Sequence, residues 1–416
     1  MASQDTITLN SAWLRNRVAE LRLKQWWLAE QAGVDKKTVV RWLHGHVRAI
    51  RVDNARVLAG ILDCRIDDFA LPDETAALAT EADQAKAAEL LATGTLIERL
   101  GPVGDWDVIE TLIKAIAVPQ LPAHVLATLY NQLCVACWRQ SKLAPAQTYN
   151  DAALALAQRC GDKALIAEAL RSRANLEHWR GECARAQATY RQCLELAPYL
   201  DEMALANTQT NYGASLYETG ELDAGHAQLL QAMSLLRLHG TPMQLSIARA
   251  HFAILALRND DALAAHEHAV WSETHAARAG YRRGTAMAKL LRADIAARRG
   301  EAVDALELLA EGRRGFAELQ IDEPLNEEIA SRVLRLAGRF DDAQAAVEQG
   351  LACSGAFPLE RAHLLVEHAR LCTATSDRAG ALAALDEARA LFEGCGAPRM
   401  VDACHRMSLD TSRLGP

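Results

Sequence analysis

Apolar positions recur at helical spacing along nearly the whole chain, and their grouping divides it into two unlike parts. Near the start the helices are short. Leu14, Val18 and Leu21 share one face between Trp13 and Leu23, and Leu28 and Ala29 do the same between Gln25 and Ala32. Val39, Trp42 and Leu43 follow. Ala55, Leu58, Ala59 and Leu62 then line the stretch from Asp53, with Ile66 and Phe69 closing the group. From residue 122 onward longer helical stretches come in pairs, interrupted at Ser141, Gly181, Gly220, Asn259, Gly300, Gly338 and Ser376. The predicted class is all-α: a domain of five short helices, then an α-solenoid of about seven helix hairpins. The expected boundaries are 1–72 for the first domain, 73–121 for a helical linker with a possible degenerate repeat, and 122–416 for the repeats. Pro72 breaks the chain between domain and linker, and a helix near Arg399 to Met407 is expected to cap the repeats.

The interruptions lie 40, 39, 39, 41, 38 and 38 residues apart. Five residues after each stands a small one: Ala146, Ala186, Gly225, Ala264, Ala305, Ala343 and Ala381. Seven before stand Cys134, Ala174, Gly213, Phe252, Ala293, Ser331 and Ala369, small in six of seven cases. Antiparallel helices that cross at short distance need small side chains at the contact. A lone hairpin cannot bury its own apolar face, so neighbours must stack.

The stretch from Ala32 to Gly45 has a different logic. Gly33 supplies a left-handed turn, Val34 plugs the space between two helices, and Asp35 can cap the next helix. If Val39, Trp42 and Leu43 face inward, Lys36, Lys37, Thr38 and Arg41 face outward, and Gly45 ends the helix. A cationic outward face on a second helix suits a major-groove reader; an ordinary solvated face is the plainer alternative. Charge separates the two parts. Residues 11–72 hold eleven Lys and Arg against seven Asp and Glu, and with Asp5 counted, residues 73–416 must carry −11 to reach the chain total of −8. Positive charge is thus concentrated where a phosphate footprint needs it, and the acidic remainder is repelled by DNA.

Residues 11–72 resemble the Cro and phage-repressor (Xre-type) helix-turn-helix family, on Gln25, Ala29, Gly33, Val34, the Thr38–Val39 pair, Trp42, Gly45 and the Leu58–Ala59 pair. The resemblance implies double-stranded DNA as a partner. Lys36, Lys37, Thr38 and Arg41 would meet base edges or phosphates, Gln25 a phosphate, and Arg48 also falls among the DNA contacts. Trp26 and Trp27 depart from the family pattern. Either one is core and the other exposed, or one ring docks on the second domain or a partner subunit.

The repeats look like tetratricopeptide units, best in Leu170 to Pro198, where Ala174, Gly181, Ala186, Tyr190 and Pro198 stand at family offsets. The period near 39 exceeds that family's usual 34, which leaves a related solenoid open. Offsets from the turns place Asn131, Arg171, Asn175, His178, Asn207, Thr210, Tyr217 and Arg249 as inward-facing polar candidates. Asn can donate and accept at once, so an Asn ladder can hold an extended peptide, and Arg171 or Arg249 can clamp a carboxylate. Solvated groove residues without a ligand are the alternative.

Composition adds limits. No apolar run reaches the length that spans a bilayer, and the first residues lack a signal-peptide pattern. Ten scattered cysteines suit a reducing cytoplasm, and Cys134 with Cys137 reads as two helix residues rather than a redox or metal motif. There is no phosphate-binding G-x-x-x-x-G-K-[ST] and no H-E-x-x-H. His266 and His268 face different sides of a helix, so with Glu267 and His275 they read as a surface patch. No enzyme, metal or cofactor is expected.

A Cro-like domain joined to such a solenoid resembles the peptide-responsive transcriptional regulators of bacteria, the group that includes quorum-sensing receptors. That resemblance implies a cytoplasmic homodimer with a peptide or protein ligand in the groove. The alternatives are an interaction scaffold and a modulator of a signalling enzyme.

Overall fold

The structure is a computed structural model that describes residues 6–47, 49–70 and 81–413. Arg48, the break at Pro72 and the first part of the expected linker lie outside the described residues. The chain divides into two compact units, Met1–Ala87 and Ala88–Pro416.

The first unit holds the short helices α1 (Ser11–Glu20), α2 (Gln25–Gln31), α3 (Lys36–Leu43), α4 (Val52–Leu62) and α5 (Ile66–Phe69). Asn10 caps α1 by accepting from the Trp13 amide at 3.0 Å, and Asp35 caps α3 through the Thr38 amide at 2.6 Å. Leu14, Leu28, Val39, Trp42, Leu58, Leu62 and Phe69 make one core. Two arginines on α1 tie the unit together by donating to helix-end carbonyls that would otherwise lack partners. Arg15 reaches Leu43 O at 3.1 Å, and Arg17 reaches Leu62 O at 3.2 Å. One element departs from the all-helical expectation. Strands β1 (Thr6–Thr8) and β2 (Ala49–Arg51) pair antiparallel, with Ile7 opposite Ile50. Ile50 is buried in the core, and three-residue runs are too short to show a strand period.

In the second unit, α6 (Glu81–Ala92), α7 (Thr95–Leu100) and α8 (Trp106–Ile116) precede the repeats. The first three hairpins are α9 (Ala123–Arg139) with α10 (Leu143–Cys160), α11 (Lys163–Trp179) with α12 (Cys183–Glu195), and α13 (Glu202–Glu218) with α14 (Leu222–His239). Next come α15 (Pro242–Arg258) with α16 (Ala262–Ala279) and α17 (Arg282–Arg298) with α18 (Ala302–Glu318). The last two pairs are α19 (Pro324–Leu336) with α20 (Phe340–Cys353) and α21 (Pro358–Ala374) with α22 (Arg378–Cys395). Helix α23 (Pro398–Arg413) ends the stack and is longer than the expected cap.

Six of the seven expected turn residues take left-handed backbone: Ser141, Gly181, Gly220, Gly300, Gly338 and Ser376. In the fourth hairpin Asp260 does so instead of Asn259, with φ 57° against −91°. That one-residue shift resolves the irregularity at Phe252. Counting from Asp260, the crossing residues become Ala253 and Ala265, both wholly buried, whereas Ala264 is only partly so. The crossing is closest in the third hairpin. A Cβ on Gly213 would come within 3.0 Å of Gly225 O, and one on Gly225 within 2.9 Å of Gly213 O. Backbone meets backbone there, which only glycine allows.

Ala186→Leu and Ala305→Leu should each cost about 1–3 kcal/mol by overpacking wholly buried crossing sites. Ala188 is half-buried and serves poorly as a control. Exposed Ala317→Leu is expected to change stability by less than about 0.5 kcal/mol. Equal shifts in denaturant midpoint at all three sites would contradict the crossing register.

Candidate functional site

The first helices of successive hairpins curve until the chain meets itself. Trp179, at the end of α11, packs edge-on against Phe357, just before α21, with ring centroids 5.0 Å apart. His363 Nε2 lies 3.0 Å from Glu218 O, and Arg399 pairs with Glu221 at 3.0 Å. Gly181 is needed at this seam, because a Cβ there would fall 2.8 Å from Cys395 Sγ and 3.2 Å from Pro358. The second and third hairpins are thereby stitched to the last hairpin and its cap.

Inside the closed turn lies a cavity with about 1180 Å³ of open space, continuous with solvent. Its apolar wall comes from Trp138, Trp179, Ile254, Met287, Leu325 and Phe357. Its polar wall carries charges that differ in their pairing. Arg283 donates from Nη2 to both oxygens of Glu323 at 2.6 and 2.7 Å, which outweighs the penalty of burial and keeps the guanidinium charged. Burial alone would push the Glu218 carboxyl up, but His178 at 2.6 Å outweighs it and holds the group down at about 2. Glu360 has no such partner among the described residues. Burial, then the neighbouring Glu323 and Glu218, push its carboxyl well above the usual range, and its Oε2 is buried without a hydrogen bond. Arg139 has no carboxylate partner among the described residues; its guanidinium lies 4.4 Å from the Trp138 ring centroid and 5.7 Å from that of Trp106.

Of the expected groove residues, Asn175 and His178 line this cavity. Asn175 is no free ladder rung, because its Oδ1 accepts from Tyr190 OH and from Asn211 Nδ2. Tyr217 is buried behind the wall and bonds His251 Nδ1 at 2.7 Å. The others fall outside the lining. Asn131 accepts from Ser172 Oγ in the core, Asn207 accepts from Gln244 Nε2, and Thr210 donates to Ala206 O in its own helix. Arg249 donates to His268 Nδ1, and Arg171 is half-buried. The side-chain oxygens of Asn131, Asn175 and Asn207 are thus each engaged by a side chain of another helix. The residues missed were Trp138, Arg139, Trp179 and Glu218. A signal for them existed, since each stands two or three places before a turn residue.

Cys134 and Cys137 sit within α9, with burial pushing their thiols up to about 12 and about 11, which suits inert core residues. His268 stacks on Phe252 and His275 on Trp271, and no His, Cys, Asp and Glu group that could hold a metal occurs among the described residues.

In the first unit, Lys36, Lys37 and Arg41 are exposed on α3, Thr38 is half-buried beside the cap, and Gln25 is half-buried at the start of α2. Trp27 is partly buried, while Trp26 is 57% exposed.

No family model and no curated protein matches the sequence. Among solved structures, a Rap protein complexed with competence and sporulation factor is 12% identical, with 80% of this chain and 98% of that one covered and a TM-score of 0.54. Aspartyl phosphate phosphatase F from Bacillus subtilis follows at 12% identity, 79% and 94% coverage and a TM-score of 0.43. PlcR from Bacillus thuringiensis, in complex with the peptide PapR7 and DNA, is 14% identical, with 64% and 94% covered and a TM-score of 0.37. The first likeness shows the fold: the repeats form a tetratricopeptide-like helical solenoid. No helix among the described residues is long and apolar enough to cross a membrane.

Burial lowers His251 to about 4 and His363 to about 3, so the unfolded chain binds these protons first as pH falls. Their contribution to stability is present above the ordinary histidine value near 6.5 and is lost progressively from there down to the folded values. Thermal midpoints should fall between pH 7 and 4, and His363→Gln, which keeps an N–H donor toward Glu218 O, should flatten the decline. Parallel pH profiles for parent and variant would contradict this.

Proposed function

We propose that the chain is a sequence-specific DNA-binding transcriptional regulator. In this reading residues 11–72 are a Cro-like helix-turn-helix of the Xre type, and the solenoid senses a peptide or protein ligand and sets the geometry of a homodimer. The observation that carries the reading is α3: a helix capped by Asp35, buried through Val39, Trp42 and Leu43, and exposing Lys36, Lys37 and Arg41 together. Nothing in the packing of its own unit requires that cationic face. Half-sites on duplex DNA lie about 34 Å apart, so a modest change in the spacing of two reading helices weakens binding. A ligand drives such a change only through unequal affinity for two shapes of the solenoid.

The cavity supports sensing by a compact ligand. Its lining combines an apolar and aromatic wall with a few charged and polar groups, the composition of a small-ligand site. The Rap structure of the same fold is complexed with competence and sporulation factor, which makes ligand binding a reasonable use of this solenoid.

Lys37→Ala and Arg41→Ala should weaken DNA binding without unfolding the chain, since both side chains are exposed. A lost phosphate contact lowers affinity on all sequences and shallows the salt slope by about one; a lost base contact costs about 1–3 kcal/mol at one position. Sequencing the DNA that co-purifies with the protein supplies the operator. Absence of DNA affinity at every salt concentration would favour a scaffold or a modulator of a signalling enzyme.

Asn175→Ala is expected to lower stability by about 1–3 kcal/mol, because it strands the buried Tyr190 hydroxyl. A lost ligand response in that variant therefore counts only if its melting midpoint equals the parent's.

A further inference from the structure

We infer that the cavity takes a ligand bearing a single carboxylate on an aromatic or aliphatic body, and that Arg139 receives the carboxylate. The inference rests on the cavity being the sensing site, and it names the chemistry of what is sensed.

Arg139 is the starting point. Cations withdrawn from water are normally paired, because their desolvation is costly. The other cavity arginine, Arg283, follows that rule through Glu323. Arg139 does not. Its guanidinium lies over the Trp138 and Trp106 rings, and its Nε is buried without an acceptor among the described residues. Burial pulls its pKa below the ordinary arginine value, against the opposing pull of Tyr281 and Glu323. A planar guanidinium laid on an aromatic face still presents its outer N–H groups edgewise, the geometry that grips a carboxylate.

The rest of the wall selects among anions. Glu218 and Glu323 line the same cavity, and a dianion such as a phosphate monoester would be repelled by them. A single negative charge meets less opposition. Burial and the neighbouring Glu323 and Glu218 push the Glu360 carboxyl up, which favours its protonated form, an O–H donor toward a ligand carbonyl or carboxylate oxygen. In the same lining, Trp179, Phe357, Ile254, Met287 and Leu325 offer an apolar and aromatic surface to the ligand body.

A carboxylate on such a body is found at a peptide C-terminus and in a small organic acid, and the experiment separates the two. The full chain, free of DNA, is titrated with indole-3-propionic acid, octanoic acid, phenyl phosphate, and short Leu- and Phe-rich peptides prepared as free acids and as C-terminal amides. Binding is read by calorimetry and by tryptophan fluorescence, to which Trp138 and Trp179 in the cavity contribute. Free acids should bind, and each amide or neutral analogue should bind about tenfold or more weakly, as expected for loss of a charged hydrogen bond. Arg139→Gln should lose the acid preference and Arg139→Lys should keep part of it. The acid–amide comparison uses the parent chain, so it stands even if a variant fails to fold. Equal affinity for acid and amide, or tighter binding of phenyl phosphate, would overturn the carboxylate assignment while leaving the cavity as a binding site. No change in calorimetry or fluorescence with any probe would overturn both. Acid binding in a chain that shows no DNA affinity would uphold the assignment and move the function toward the scaffold alternative.

Discussion

Everything in the solenoid depends on two antiparallel helices touching where neither has a side chain large enough to hold them apart. Ala174 and Ala186, Gly213 and Gly225, and Ala293 and Ala305 are such pairs, each set by its distance from a left-handed turn residue. Turn and crossing act together, because the turn fixes the register in which the small residues face each other. Once the pair is close, the larger side chains flanking it reach the neighbouring hairpin instead of their own partner helix. That is how a repeat that cannot bury its own apolar face comes to share a core with the next one.

A second constraint is electrostatic and lies among the first helices of the later hairpins. Arg332 on α19 bonds Asp294 on α17 at 2.7 Å and Glu367 on α21 at 3.3 Å, and also pairs with Glu328 one turn before it. Arg298 reaches Asp294 at 2.9 Å, and Arg335 and Arg370 reach Glu367 at 2.7 and 3.2 Å. Asp294 and Glu367 are fully buried, so removing one partner leaves an uncompensated charge, a loss of about 3–5 kcal/mol. Such a network adds little net stability compared with apolar packing. It does specify one relative placement of three helices, and α21 is the helix that meets the early hairpins at the seam.

The helices, their pairing and the turn positions were legible because each is written locally, in apolar spacing and in glycine or serine at fixed intervals. The one slip, Asn259 for Asp260, carried its own warning in the large Phe252 at a position otherwise kept small. The β1–β2 pair was not legible, since its partners lie some forty residues apart and each is only three residues long. The cavity was half legible. Offsets from the turns led to Asn175 and His178, while the side-chain oxygens of Asn131, Asn175 and Asn207 are engaged between helices. Arg139, Phe357 and Glu360 come together only because the stack curves back on itself, and curvature is a sum of small rotations that no single repeat displays.

Closure of the turn also alters how the chain folds. An open stack of repeats makes contacts only between neighbours and can come apart one hairpin at a time from either end. Here Trp179 meets Phe357 and Glu218 meets His363, so the stack is joined across more than a hundred intervening residues. Contacts of such long sequence separation require prior ordering of everything between them and form late on the folding path. Their rupture, in turn, belongs to the first stage of unfolding. The seam therefore governs the rate at which the native solenoid opens far more than the rate at which it assembles. A linear array has become a protein whose two ends must be released before its middle can loosen.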